Sequence, residues 1–338
     1  MYEPAHPDVA VQATVAASGA RLAELLQGGG DALREPGRSD IVFETSLQLT
    51  PLERGPAPVD VWAVDGGQML VADARCIQVY AARASRVRWR DGRCEVEDEG
   101  TMRVGLFGMG EERRSLDLAG SGAPIAADSP VDVNLLRDWL EWEAVAASVE
   151  AASPSGLVLV DGDLQPDWRI SSAWLEQLLS RAEARHVVVA GVTKHTSLTW
   201  GGAPLPGRLE RIADDELGPR ACWWAPVGRT RPDVGAGIRV VVARLDPDAR
   251  FSFRIDLPGA LVDDDVPRVL GHLSSLSDDA AFPGYPYPLS VADRLAACPP
   301  HLRGEIWASI EEVLDSAGVP WDVRERAFAD RHRLMERA

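Results

Sequence analysis

Two short apolar runs in this sequence end in the same way, with an aspartate followed by glycine. The first, VWAVDGG, places Asp65 after four apolar residues, and the second, LVLVDGD, places Asp161 after another four. An uninterrupted apolar run of this length is typical of a strand that is buried on both faces of a sheet. A carboxylate at the end of such a strand is costly to bury alone. The repetition therefore raises the question of whether Asp65 and Asp161 meet at one edge of a sheet.

The order of the predicted elements indicates a fold class. In chain order they are a strand at 59–65, a strand-rich segment with a hairpin turn at 90–93, a helix at 133–152, a strand at 157–161, a helix at 171–184 and a strand at 186–194. This order resembles that of ribonuclease H-like folds. The resemblance implies that carboxylates of the first strand, the first helix and the fourth strand gather two divalent metal ions. We predict an α/β protein with a ribonuclease H-like mixed β-sheet core flanked by helices.

Helical spacing at both ends of the chain predicts additions to this core. An N-terminal helix is predicted at residues 8–27 and C-terminal helices at 302–338. The sequence contains neither an internal repeat nor a low-complexity linker. We therefore expect a single domain over residues 1–338, with its core at about 59–297.

The helix at 133–152 is expected to supply the third carboxylate. At 100° per residue, Glu143 falls within a broad apolar face, whereas Glu141 points nearly opposite, alongside Asn134 and Asp138. A carboxylate on an apolar face is costly unless it is paired or bound to metal. Glu143 is thus favoured as a ligand and Glu141 as a solvent-facing residue. Two alternatives stay open: Glu143 pairs with an arginine at the helix edge, or a register shift of two positions exchanges the roles.

Asp65, Glu143 and Asp161 together would form an all-oxygen site, which suits Mg²⁺ or Mn²⁺ rather than zinc. Two such ions can clamp both oxygens of an in-line phosphoryl displacement. The glycines at Gly66–Gly67 and Gly162 remove side chains where a phosphate backbone would have to approach. These features predict phosphodiester chemistry.

Other candidate residues lie downstream. Lys194 ends the predicted strand at 186–194, where its charge could grip a phosphate or stabilise a transition state; the alternative is an ordinary surface lysine. The pair Trp223 and Trp224 is typical of a core or interface strand, and less often of a platform for stacking single-stranded bases.

Five segments in order resemble the NurA family of DNA-end-processing nucleases, over about Val59 to Ala297. They are VWAVDGGQM, LVLVDGDL, VVVAGVTKHTS, FRIDLP and GYPYPLSVADRLA. The resemblance implies a ribonuclease H-like core with Mn²⁺-dependent 5′→3′ exonuclease and single-strand endonuclease activity. It also implies a homodimer that docks on a hexameric HerA-type ATPase in DNA end resection and double-strand break repair.

The resemblance further assigns roles to individual residues. The family's functional positions fall on Asp65, Glu143, Asp161, Lys194, Tyr285 and Asp293. The first three match acidic metal ligands, Lys194 a motif lysine and Tyr285 a C-terminal tyrosine. Asp293 stands where many members have histidine. Because aspartate also binds hard metal ions, we expect Asp293 to be a fourth ligand, with one more negative charge in the site. Tyr285 and Tyr287 could alternatively stack on bases.

Composition limits the remaining possibilities. The formal net charge of −17 predicts weak, salt-sensitive DNA binding unless a partner supplies basic surface. The N-terminus lacks a signal-peptide pattern, no apolar run is long enough to span a membrane, and four scattered cysteines are expected to be reduced, so we expect a cytoplasmic protein. Two other functions stay open: an actin-like or sugar-kinase-type ATPase, and a catalytically inactive HerA-binding regulatory subunit.

Overall fold

The structure, a computed structural model, describes residues 9–27, 41–44, 47–108, 125, 132–200, 202–231 and 236–329. Its helices and strands, in chain order, are α1 (Val9–Gln27), β1 (Ile41–Phe43), β2 (Thr50–Pro51), β3 (Asp60–Asp73), β4 (Ile77–Arg90), β5 (Arg93–Asp98), β6 (Arg103–Gly108), α2 (Val133–Ala151), β7 (Leu157–Asp161), α3 (Ser172–Ala184), β8 (Val188–Thr193), β9 (Thr199–Trp200), β10 (Ala203–Pro204), α4 (Leu205–Glu216), β11 (Trp223–Thr230), β12 (Arg239–Arg244), β13 (Phe253–Leu257), α5 (Val266–Ser275), α6 (Tyr287–Ala296), α7 (Pro300–Ser316) and α8 (Trp321–Phe328).

The chain divides into two compact units. The first unit is made of Met1–Gly55, Thr193–Ile255 and Val262–Tyr285, and the second unit of Pro56–Val192, Asp256–Leu261 and Pro286–Ala338.

The second unit contains the predicted mixed sheet. Its strand order is β8–β7–β3–β4–β5, and β6 pairs with the other half of β4. The pairs β3–β7 and β7–β8 are parallel, whereas β4 pairs antiparallel with β3, β5 and β6. Helix α2 precedes β7, and α3 connects β7 to its parallel neighbour β8. This arrangement confirms the predicted α/β, ribonuclease H-like core.

Strand β3 is longer than the sequence predicted. It does not end at Asp65 but continues to Asp73, because β4 pairs with it over almost its whole length, including Gly67. The parallel pairing with β7 is shorter and stops at Val64 opposite Val160. Asp65 therefore lies in the middle of a strand, at the point where its parallel neighbour leaves it.

Helix α2 presents two different faces to its surroundings. Trp139 and Trp142 pack against Trp174 of α3, with ring centroids 5.2 and 6.1 Å apart. Asn134, in contrast, accepts a hydrogen bond of 3.0 Å from the side chain of Gln68 on β3. Two tryptophans of α2 thus contact α3, while Asn134, on another side of the helix, contacts β3.

The first unit contains three strands in the antiparallel order β1–β11–β12, and β2 also pairs antiparallel with β11. Trp223 is fully buried in its core, together with Leu205 and Leu209 of α4. A buried ring cannot stack on a base, so the core alternative for Trp223 is the correct one.

The predicted terminal helices correspond to α1 at one end and to α7 and α8 at the other, while residue 8 and residues 330–338 lie outside the described residues. Cys76, Cys94, Cys222 and Cys298 form no disulfide. Within the part of the chain that the structure describes, none of the helices combines the length and apolar character needed to cross a bilayer.

Candidate metal centre

Asp65 and Asp161 are neighbours on two parallel strands. The last parallel pair is Val64 opposite Val160, and each aspartate is the next residue of its strand. Since side chains alternate along a strand, both aspartates leave the sheet on the same face. The backbone N–H of Gly66 donates a 2.7 Å hydrogen bond to Asp65 Oδ1, which orients that carboxylate. The two Asp-Gly segments that the sequence repeats are therefore brought together by strand order and register.

Asp293 reaches the same place from α6. This helix is held on the sheet by β4: Ser85 Oγ donates to the carbonyl oxygen of Ala292 at 2.7 Å, and the Arg83 guanidinium donates to that of Ala296 at 3.3 Å. Ser85 is fully buried, so this contact is part of the core. The helix that carries Asp293 is thus held on the sheet by hydrogen bonds to backbone carbonyl oxygens before and after Asp293.

Asp65, Asp161 and Asp293 form a compact carboxylate cluster. Each offers one oxygen atom, and these oxygens all lie within 4.8 Å of one another. Asp65 and Asp161 are half-buried, while Asp293 is exposed. Three carboxylates at this spacing repel one another, and a divalent cation is the ligand that best offsets such repulsion. Asp293, the residue that departs from the histidine expected at this position, lies within the cluster.

Glu141 is the glutamate of α2 whose carboxyl interacts electrostatically with Asp65 and Asp161, whereas Glu143 lies against Arg103, so the prediction that Glu143 faces the site is wrong. Glu141 is 6% exposed, and a Cβ atom at Gly66 would lie 2.8 Å from its Oε2. Glu143 is partly exposed, with Oε2 3.9 Å from the guanidinium of Arg103. Trp139 and Trp142 of the predicted apolar face contact α3, whereas Asn134 and Glu141, from the face predicted to be solvated, lie against β3.

Burial raises the pKa of Glu141 well above its usual range. The negative charge of Asp65 raises it further, the Arg137 guanidinium partly lowers it, and Asp138 and Asp161 raise it again. Burial also raises the pKa of Asp138, to about 6. Each is a carboxyl group that resists ionisation in the absence of a cation.

The two glycines after Asp65 serve the protein rather than a ligand. A Cβ at Gly67 would lie 2.0 Å from the carbonyl oxygen of Ala296, and one at Gly66 would meet Glu141 and, at 3.1 Å, the Arg137 side chain. The expectation that they leave a gap for a phosphate backbone is thus wrong. They allow α2 and α6 to approach β3 closely, and α6 carries Asp293 of the cluster.

The loop after Asp161 is held by a residue to which sequence reasoning gave no role. Gly162 has a φ of 148°, a conformation that favours glycine, and a Cβ there would meet nothing within 4 Å. Two residues on, the backbone N–H of Leu164 donates to Asp256 Oδ2 at 3.1 Å. Asp256 is fully buried. The only signal in the sequence was a lone aspartate inside the apolar segment FRIDLP.

Lys194 and Tyr285 contact each other in the first unit. The Lys194 ammonium lies 5.0 Å from the centroid of the Tyr285 ring, a cation–π geometry. Tyr285 is 1% exposed and packs against Phe253 and Phe282. Base stacking by the Tyr285 ring is therefore not available to this chain.

No protein-family profile and no curated protein sequence matches this chain. Solved structures do. The NurA nuclease from Sulfolobus solfataricus superposes with a TM-score of 0.56 at 17% identity, over 92% of this chain and 96% of the other. This chain has a NurA-like fold. A NurA structure solved with manganese also matches, with a TM-score of 0.52 at 10% identity, over 90% of this chain and 98% of that one. At these identities the similarity establishes the NurA-like fold and leaves the chemistry to be argued from the residues.

Proposed function

We propose that this protein is a divalent-metal-dependent deoxyribonuclease that hydrolyses phosphodiester bonds. The observation that carries this proposal is the carboxylate cluster of Asp65, Asp161 and Asp293, whose oxygens lie within 4.8 Å of one another. The cluster lies where the parallel pairing of β3 with β7 ends, and the buried side chain of Glu141 lies next to Gly66. The similarity of the fold to NurA nucleases supports the same conclusion.

The donor set fits Mn²⁺ or Mg²⁺. All four side chains offer hard carboxylate oxygens, and neither a thiolate nor an imidazole belongs to the set. Asp65, Glu141, Asp161 and Asp293 would hold the metal, and we propose two ions per site. When bound, such ions supply a Lewis acid that activates water and stabilises charge on the leaving oxygen.

The protein's own residues would orient the reacting groups. Asp65 and Asp161 are fixed by the sheet, Asp293 by the docking of α6, and Glu141 by burial under Gly66. We propose that Lys194 binds a substrate phosphate and that the Tyr285 ring orients the lysine through the cation–π contact. Tyr285 is then a positioning residue.

The finer features implied by the NurA resemblance belong to the same proposal. They are 5′→3′ exonuclease and single-strand endonuclease activity, a homodimer, and action with a HerA-type hexameric ATPase in DNA end resection and double-strand break repair. A net charge of −17 supports a role for such a partner, because the 52 Asp and Glu residues of this chain outnumber its 35 Lys and Arg residues.

The test is digestion of 5′-labelled linear DNA in the presence of Mn²⁺. We expect the wild-type protein to digest it and Asp65→Ala to be slower by more than about 100-fold, since even outer-shell partners of metal ligands cost about 10–100-fold. Glu97→Gln, which removes an exposed carboxylate on β5, is the matched control and should retain activity. Equal rates for wild type and Asp65→Ala, or an inactive wild type, would overturn the proposal.

A further inference from the structure

Trp168 is more exposed than any other large apolar side chain that the structure describes, with 81% of its surface accessible. Tryptophan is usually well covered in folded proteins, so an indole this exposed contributes little to the core. It lies in the loop that follows Asp161, between β7 and α3. Loops at the carboxyl ends of parallel strands are where α/β sheets bind their ligands.

The backbone that carries Trp168 is firmly held. The N–H of Ile170 donates to the carbonyl oxygen of Asp167 at 2.8 Å, which closes a tight turn with Trp168 at its tip. The Arg169 guanidinium donates to Asp167 at 2.7 Å and 2.6 Å and to Asp132 at 2.9 Å and 3.1 Å. Its carbon also lies 5.6 Å from the centroid of the Trp168 ring. The indole is thus presented to solvent from a rigid turn.

The same turn is linked to the carboxylate cluster. The backbone N–H of Asp167 donates to Asp138 Oδ2 at 2.6 Å. Asp138 and Glu141 are three residues apart on α2 and therefore lie on one face of the helix. Trp168 is therefore joined through the hydrogen bond between Asp167 and Asp138 to the face of α2 that carries Glu141, and its loop begins directly after Asp161 of the cluster.

We propose that Trp168 is a nucleobase-stacking residue for single-stranded DNA. Bases in a duplex are already stacked on their neighbours, so only an unpaired strand offers a free base face to the indole. In a protein with a net charge of −17, stacking also contributes to the affinity for DNA without requiring basic side chains. This inference rests on the proposed nuclease function for the identity of the ligand, and it adds a residue that selects unpaired strands.

The test measures binding of fluorescein-labelled oligodeoxythymidine by anisotropy, at low salt and in EDTA so that cleavage does not interfere. We expect Trp168→Ala to weaken binding about 5- to 150-fold, which corresponds to the loss of one base–aromatic stack. Trp168→Phe should restore most of the affinity. Trp321→Ala removes an exposed tryptophan on α8 and should change nothing. An abasic oligonucleotide should bind wild type and Trp168→Ala almost equally, because the base is what the indole contacts.

Kinetics with Mn²⁺ separate stacking from a structural role. Trp168→Ala should raise KM for single-stranded DNA and leave kcat nearly unchanged, since it removes binding rather than chemistry. The inference is overturned if Trp168→Ala binds thymidine oligonucleotides as wild type does, or loses equal affinity for the abasic strand. If the wild type binds and discriminates as expected but never cleaves, the stacking inference stands and the nuclease proposal fails.

Discussion

Asp60 shows how this protein accommodates a buried carboxylate that needs no metal ion. It is 2% exposed and accepts hydrogen bonds from Arg88 at 2.8 and 3.0 Å and from the N–H of Ser153 at 2.7 Å. Burial alone would raise the pKa of Asp60, but these bonds hold that pKa below its ordinary value. Glu141 is the opposite case, because burial raises its pKa and three nearby aspartates raise it further. The contrast distinguishes a structural carboxylate from one suited to a cation.

Asp60→Asn should lower the free energy of unfolding by about 3 kcal/mol near neutral pH, because it removes the buried charge that pairs with Arg88 and leaves only the more distant, exposed Glu95. A carboxyl group whose pKa is lowered on folding stabilises the protein above its unfolded pKa, and this contribution is lost as pH falls through the folded pKa. The difference between variant and wild type should therefore shrink below about pH 4. Urea unfolding of the variant and the wild type, at neutral and at acidic pH, measures this difference in the free energy of unfolding.

Asp98→Asn is the matched control for this pair. Asp98 binds Arg86 at 2.9 Å on neighbouring strands, but both side chains are partly exposed. Exposed ion pairs contribute about 1 kcal/mol or less. A loss for Asp98→Asn as large as that for Asp60→Asn would contradict the argument from burial.

At the scale of the elements, the close packing of α6 on β3 depends on one glycine. Gly67→Ala would place a methyl group 2.0 Å from the Ala296 carbonyl oxygen, a backbone atom that cannot move without the helix. Overpacking of this kind typically costs about 1–3 kcal/mol. We expect lower stability and, because α6 carries Asp293, weaker Mn²⁺ binding; thermal unfolding and calorimetric titration measure the two effects.

Gly304→Ala on α7 supplies the comparison. A Cβ there meets nothing within 4 Å, and the residue lies inside a helix. Alanine should therefore stabilise the protein by about 0.5–1 kcal/mol. If both glycine variants change stability in the same direction, the contact between Gly67 and Ala296 is not what holds α6.

The order of the elements could be predicted from the sequence, but the orientation of α2 could not. Apolar runs such as LVLVD identify strands directly, and the alternation of strands and helices then limits the topology. Which side of a helix meets the sheet depends on tertiary contacts, here those of Trp139 and Trp142 with Trp174. Periodicity alone assigns Glu143 to the side of α2 that faces the sheet and Glu141 to the solvent, and this assignment is wrong for both residues. The length of β3 was likewise missed, because antiparallel pairing with β4 carries it through two glycines.

At the scale of the whole molecule, an acidic chain is proposed to act on a polyanion. Its 52 Asp and Glu residues outnumber its 35 Lys and Arg residues, so the average electrostatic field of the chain repels phosphates. Each neutralised phosphate on a single strand contributes a slope of about −0.7 to the dependence of log affinity on log salt. We expect a shallow slope for the isolated protein in EDTA and tighter binding when Mn²⁺ is added. A steep slope without metal would indicate a basic groove and contradict this view.

Several whole-molecule predictions stay predictions: a single nuclease domain over residues 1–338, a homodimer and a HerA-type partner. The single domain is predicted from the lack of an internal repeat or a low-complexity linker, and the homodimer and the HerA-type partner are implied by the resemblance to NurA nucleases. The meeting of Asp65 and Asp161, in contrast, could be predicted from the sequence. Parallel register brings equivalent positions of β3 and β7 together, and the two aspartates lie in the same carboxylate cluster.

The central claim, that a carboxylate centre completed by Glu141 binds catalytic metal, is tested most directly by two variants of α2. Glu141→Gln and Glu143→Gln remove one charge each, two residues apart, and Mn²⁺ affinity and the rate of DNA digestion are measured for both. The account predicts that Glu141→Gln loses about 10–100-fold or more in both quantities while Glu143→Gln stays near wild type. Retention of metal binding and activity by Glu141→Gln, or their loss in Glu143→Gln alone, would contradict it.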